Sequence, residues 1–136
     1  MYRSAIMAIA LLTAPQVAIA QTAPTYAEVA DGFFRTLQAG DTAKAYKDIW
    51  GGTLMDKKQG EVENLVLQTA TTLKTYGKVV GWELVSEKII SASYIERVYL
   101  VRTEGLPIFF KMYFYRPSSK WLVTNLYFTD TYKNVQ

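Results

Sequence analysis

YIERVYLVRTEGLPIFFKMYFYRPSSKWLVTNLYFTD, residues 94–130, is the stretch that decides the fold. Val, Ile, Tyr, Phe and Trp crowd it, and these residue types suit a pleated, half-buried surface. Short breaks punctuate this half of the chain: Ser91-Ala92-Ser93 ahead of the stretch, Gly105-Leu106 within it and Pro117-Ser118-Ser119 near its end. The spacing predicts four strands, at about 78–90, 94–104, 107–116 and 120–130. Connections this short join antiparallel neighbours, so the strands should form a meander.

Side chains alternate across a sheet, so parity sorts them by face. A three-residue turn at 117–119 would pair Arg116 with Lys120, then oppose Phe114 with Leu122, Phe110 with Leu126 and Ile108 with Phe128. With Val98, Leu100 and Met112, these even-numbered residues form the face that helices should cover. Each large apolar side chain buried there is worth about 1.5–3 kcal/mol, which opposes a one-residue slip. The odd-numbered face is expected to lie open. It carries Tyr99, Val101, Phe109, Tyr113, Tyr115, Trp121, Val123 and Tyr127, interrupted by Arg97, Lys111 and Asn125. An open sheet face is normally polar, whereas Tyr, Trp and Arg are enriched at protein interfaces. Tyr99, Phe109, Lys111, Tyr113, Tyr115, Trp121 and Tyr127 are therefore the expected contacts of a homodimer. The alternatives are a partly exposed aromatic surface, or cover by the tail 131–136.

Upstream, Thr25-Tyr26-Ala27-Glu28 is a capping box at a helix start. Tyr26, Val29, Ala30, Phe33, Phe34 and Leu37 follow at helical spacing, and Gly40 can end the helix. A second, short helix, capped by Asp41 or Thr42, turns Ala43, Tyr46, Ile49 and Trp50 to one side. A third should run from about Asp56 or Glu61 to Tyr76, closed by Gly77. Helices followed by strands make an α+β domain, with N-terminal helices packed on one face of a curved four-stranded antiparallel sheet.

Residues 1–20 read as a cleavable secretory signal: Arg3, an apolar run from Ala5 to Leu12, Pro15, and Ala18-Ile19-Ala20 as the cleavage site. A retained N-terminal anchor is the alternative. The run is shorter than the roughly 20 residues that span a bilayer. The expectation is a periplasmic or secreted domain, residues 21–136, not membrane-spanning after cleavage. With no cysteine there is no lipidation thiol and no disulfide, so an apolar core must hold the fold. The formal charge of +3 falls to +2 when Arg3 leaves, too small to argue for nucleic acid.

The "FF..L..GD...A" pattern (Phe33-Phe34, Leu37, Gly40-Asp41, Ala45) precedes further helix and a meander whose last strand carries Lys120-Trp121-Leu122-Val123. This order resembles the nuclear-transport-factor-2-like superfamily, the cystatin-like α+β cone that includes ketosteroid isomerases and polyketide cyclases. The resemblance implies a cone over residues 25–130, dimerisation through the open sheet face, and often a ligand between sheet and helices. It hosts enzymes, binding proteins and secretion-system domains, so it does not choose a function.

The chain has no histidine or cysteine, which removes the commonest general base, the thiol nucleophile and ordinary zinc sites. No phosphate-cradling glycine motif appears, and no cofactor or metal is expected. Tyr46 and Trp50 on the second helix, Trp82 on the first strand, and Glu96, Arg102 and Thr124 by parity are the candidates to line a space between sheet and helices. Glu96 could then serve as a base in an apolar pocket. The bland reading makes Glu96 and Arg102 solvated or paired rim residues. Asp48 and Asp130 are further acids. No catalytic dyad of the isomerases or cyclases matches residue by residue, so no catalytic residue is assigned. The leading expectation is an exported, non-catalytic binding domain, dimeric through its open face, with room for a small apolar ligand. A small isomerase or cyclase, and an assembly factor bound to an envelope protein, are the alternatives.

Overall fold

The first helix, α1 (Tyr26–Gln38), begins where the capping box places it. Thr25 Oγ1 accepts the Glu28 N–H at 3.2 Å and Glu28 Oε2 accepts the Thr25 N–H at 2.7 Å. Asp41 caps α2 (Thr42–Trp50), and a 3-10 turn at Leu54–Lys57 leads into α3 (Gln59–Tyr76). Gly77, at φ 98°, ends α3 in a conformation that L side chains rarely adopt. The strands are β1 (Val79–Ser91), β2 (Tyr94–Thr103), β3 (Pro107–Tyr115) and β4 (Leu122–Thr129), followed by a second 3-10 turn at Tyr132–Val135. This computed structural model describes residues 14–17 and 22–136. The expected signal falls mainly on residues 1–13 and 18–20, outside the described residues. No described helix is long and apolar enough to cross a membrane.

The strands form one antiparallel sheet in the order β1-β2-β3-β4, curved and unclosed. The α+β class, the element order and the meander agree with the sequence reading. Helix α1 packs on β1, and α2 packs on α1 and β4. Between sheet and helices, Phe33, Phe34, Tyr46 and Phe110 are almost wholly buried. The Phe33 ring lies edge-on to Phe34, Tyr46 and Phe110 at 5.1–5.9 Å. Aromatic rings fill the helix-covered side of the sheet.

Among β2, β3 and β4, two features of the register correct the sequence reading. Strands β2 and β3 pair Tyr99 with Phe110 and Val101 with Ile108, odd opposite even. Arg102 faces Pro107, so four residues make the turn. Thr103 Oγ1 organises that turn by accepting the N–H groups of Gly105 and Leu106 at 3.3 and 3.1 Å. On β2 the odd residues therefore face the helices. Tyr99 is 2% exposed and its ring lies 5.0 Å from that of Phe34. Glu96 and Arg102, expected inside, are on the outer face. The second is a bulge in β4. Tyr113 pairs with Asn125 but Phe114 pairs with Val123, leaving Thr124 without a partner on β3. The bulge turns Val123 and Trp121 inward and Leu122 outward. Trp121 meets the Tyr26 ring edge-on at 5.0 Å.

Candidate functional site

Two surfaces hold most of the expected site residues. One is the outer face of the sheet, away from the helices. It carries Tyr94, Glu96, Val98 and Leu100 from β2, Phe109, Lys111, Tyr113 and Tyr115 from β3, and Leu122 and Tyr127 from β4. The rings of Tyr94 and Tyr113 stack at 6.0 Å. Tyr115 and Tyr127 are 41% and 37% exposed. Of the seven expected contact residues, the structure keeps Phe109, Lys111, Tyr113, Tyr115 and Tyr127 on this face and moves Tyr99 and Trp121 to the other. Tyr94 and Leu122 take their places. Counting parity across an unmeasured turn could not have found them.

The C-terminal turn covers one end of this face. Val135 is buried there, Tyr132 packs on Phe109 at 5.3 Å, and Lys111 Nζ donates to the Val135 carbonyl at 3.3 Å. Lys111 also meets Glu96 Oε1 at 3.1 Å. Burial opposes charge on Lys111, but the Glu96 hydrogen bond and charge outweigh it and hold its pKa above the ordinary value. Glu96 is thus an ion-pair partner on the outer face and not a base in an inner pocket.

The second surface surrounds Trp50. Its indole Nε1 donates to the Val123 carbonyl at 2.9 Å, which fixes α2 against β4. With Met55 it forms the wall between two clefts. One, about 690 Å³, lies among α2, the Leu54–Lys57 turn and the start of α3, and is lined by Tyr46, Trp50, Met55 and Val62 beside Lys47, Asp48, Asp56 and Gln59. The other, about 250 Å³, lies between α3 and β4. Glu61, Asn64, Leu65 and Gln68 of α3 face Thr124, Asn125 and Leu126 of β4 across it. Asn64 and Gln68 stand four residues apart on one helix face, a spacing visible in the sequence but silent without the opposing strand.

The six expected ligand residues do not converge. Only Trp50 and Thr124 share the α3–β4 cleft, and only Tyr46 and Trp50 share the larger one. Trp82 sits on the opposite edge strand, where its Nε1 donates to Asp31 Oδ1 at 2.9 Å. Arg102 lies over Gly81, where any Cβ would collide with its guanidinium. Tyr46 is a core residue, 2.8 Å from Thr69 Oγ1. Thr69 spends its own proton on the Leu65 carbonyl at 2.7 Å, so the Tyr46 hydroxyl donates. Burial pushes the Tyr46 pKa well above its ordinary value. That hydroxyl ties α2 to α3 and is not available for proton transfer.

No family model matches the chain, and no curated protein matches it. Among solved structures, it is similar to that of a protein described as an NTF2-like transpeptidase, from Campylobacter jejuni. The match has a TM-score of 0.55 and covers 71% of this chain and 94% of that one, at 19% identity. Identity that low carries architecture and no chemistry. With helices α1 to α3 laid on an open, curved four-stranded meander, the chain has an NTF2-like fold.

Proposed function

We propose that this is an exported domain that acts by binding and not by catalysis, and that it pairs with a second copy through the outer face of its sheet. The observation that carries the reading is that face itself. Tyr94, Tyr113, Tyr115 and Tyr127 stand on it without a covering helix, and Tyr115 and Tyr127 remain more than a third exposed. Tyrosine offers large contact area with a hydrogen-bonding end, which is why it is enriched at protein interfaces. The NTF2-like fold suits either a small binding domain or an enzyme-like one. Against catalysis stand the lack of histidine and cysteine and the pairing of Glu96 with Lys111 outside the core. The cleft walled by Tyr46, Trp50, Met55 and Val62 supports a small, partly apolar ligand as a second occupant. An envelope protein on the same outer face is the rival partner.

Sedimentation of the purified protein over a wide concentration range tests the pairing. A dimer should form, and the Tyr113→Glu, Tyr115→Glu double variant should split it while keeping the circular dichroism spectrum. A protein that remains a monomer at the highest concentration overturns self-pairing. Recovery of the mature chain from the periplasm with Gln21 at its N-terminus tests export.

A further inference from the structure

Strand β1 is the long edge of the sheet, and from Glu83 to Ser91 every residue of it is exposed. Val80, Leu84, Val85, Ile89 and Ile90 are 39–65% exposed. A long apolar edge is a template for another strand. The opposite edge is engaged by its own chain: Trp50 and Asn125 hold the Val123 carbonyl and the Leu126 N–H of β4. On β1, Gln38 Nε2 holds the Val80 carbonyl at 3.2 Å. The run that follows, Gly81 to Ile90, is the open one. A register shift at Val85 divides it. Ahead of the shift, Trp82 and Leu84 oppose Val101 and Tyr99 on the helix side, and Glu83 opposes Leu100 on the outer side. After it, Glu87 and Ile89 oppose Arg97 and Ile95 on the helix side, and Ser86 and Lys88 lie outside. The inward parity therefore switches from even to odd at Val85.

We infer that β1 pairs antiparallel with β1 of a second copy, about a two-fold axis between Val85 and Ser86. Side chains opposed across an antiparallel pair share a face. An even residue ahead of the shift must then meet an odd one after it. The register centred between Val85 and Ser86 satisfies this along the open run. Trp82 opposes Ile89 of the copy, Leu84 opposes Glu87, and Glu83 opposes Lys88. Opposite charges meet twice, once on each side of the axis. Among the described residues, Glu83 and Lys88 have no ion-pair partner in their own chain. Glu96, which faces Lys88 on β2, is held by Lys111. Arg97 already balances Glu87, so that residue brings no unpaired charge to the contact. A register centred on Val85 itself would oppose Glu83 to Glu87 and set inward residues against outward ones. A slip of two residues would keep the faces but oppose Glu83 to Ser86 or Ile90, losing both ion pairs. The pattern of charge and face is thus complementary to itself, which fits a second copy better than an unrelated strand. Paired this way, both sets of helices lie on one side, and the two tyrosine-bearing outer faces join into one surface. The contact goes beyond the outer-face pairing and uses different residues.

The run is shorter than the roughly 20–30 residues a side of a standard interface, so the pairing should be weak, with a Kd of about 0.1–1 mM. It is read in the Tyr113→Glu, Tyr115→Glu background, which removes the outer-face contact. Sedimentation and amide NMR of that protein at millimolar concentration should show a dimer, with shifts along β1. Glu83→Lys and Lys88→Glu should each weaken it about tenfold, and the two changes in one chain should restore it. Both positions are exposed, and restoration by the double change rules out misfolding as the cause. The chain has no cysteine, so crosslinking reads the register. Glu83→Cys and Lys88→Cys chains, mixed and oxidised, should join to each other, and neither should join to itself at a comparable rate. A monomer at millimolar concentration would overturn the inference. So would single reversals without effect, a double change that fails to restore pairing, or equal crosslinking of unmixed chains. Because the background lacks the outer-face contact, either pairing can fail without the other.

Discussion

The guanidinium carbon of Arg97 lies 4.7 Å from the centroid of the Tyr26 ring. This joins the middle of β2 to the first residue of α1 on the helix-covered side of the sheet. Tyr26 in turn meets Trp121 edge-on, and Arg116 stands 4.9 Å over the Trp121 ring. Two cations and two rings alternate where the helix starts and the last strand begins. Arg97 Nε also donates to Glu87 Oε2 at 2.6 Å and its NH1 to the Tyr99 hydroxyl at 2.9 Å. The charge is brought into a largely buried setting because ring and carboxylate replace water around it.

Arg97→Ala should therefore destabilise the fold by about 1–3 kcal/mol, through the lost ring contact and the unpaired Glu87. Arg97→Lys keeps the charge but not the planar fork, so its cost should be smaller yet measurable. Urea unfolding midpoints check both. Equal stability of Arg97→Ala and the natural protein would mean that the contact contributes nothing.

The Tyr46–Thr69 hydrogen bond should be visible in a double-mutant cycle. Tyr46→Phe and Thr69→Val each remove one partner inside the core, and the coupling between them should be about 1 kcal/mol. A coupling near zero would show that packing alone joins α2 to α3.

Alkali should weaken the protein. Burial raises the pKa of Tyr46, Tyr99 and Tyr113 above their ordinary value of about 10. A raised folded-state pKa means that the unfolded chain ionises first. The stabilisation is full below pH about 10 and declines as pH climbs above it. Lys111, also raised, acts in the same direction. Unfolding midpoints across the alkaline range should fall, and Tyr46→Phe should fall less steeply than the natural chain.

The C-terminal turn should contribute to stability despite its length. Val135 is only 2% exposed. Val135→Asp should cost about 1.5–3 kcal/mol from lost burial, with a further penalty for the carboxylate. Hydrogen exchange in β3 and β4 near Lys111 should quicken with it. Unchanged exchange would mean that the turn lies on the sheet without holding it.

Trp121 and Tyr115 should respond differently to the same change. Trp121→Glu puts a charge against Tyr26 on the helix-covered side and should lower stability by about 2 kcal/mol or more. Tyr115→Glu alters a position exposed in the single chain and should stay within about 0.5 kcal/mol when both variants are compared as monomers. Thermal melts of the two variants distinguish them, and a reversed order would reverse the assignment of faces.

Much of the architecture could be read from short-range pattern. The Thr25–Glu28 box, the glycines at 40 and 77 and the texture change after Lys78 placed every helix and strand to within a few residues, because capping and periodicity are local. The third helix starts at Gln59, between the two expected starts, after a separate 3-10 turn that Thr53 caps. The faces were harder. Both parities of β2 carry large apolar groups: Val98 and Leu100 on one, Tyr99 and Val101 on the other. Burying either gains a similar free energy, so alternation alone could not choose. The four-residue turn after Arg102 sets odd residues of β2 beside even residues of β3, and the Thr124 bulge turns Trp121 and Val123 inward.

By itself the sequence determined the order of elements, the antiparallel meander and the chemistries closed to a chain without histidine or cysteine. Composition and local spacing suffice for these. Only the tertiary structure decided which side of β2 looks inward, that Glu96 meets Lys111 outside the core, and that a cleft lies between α3 and β4. Each of these depends on residues far apart in the chain meeting in space. Phe34 must settle against Tyr99, and Trp50 against the Val123 carbonyl, before any face or cleft exists.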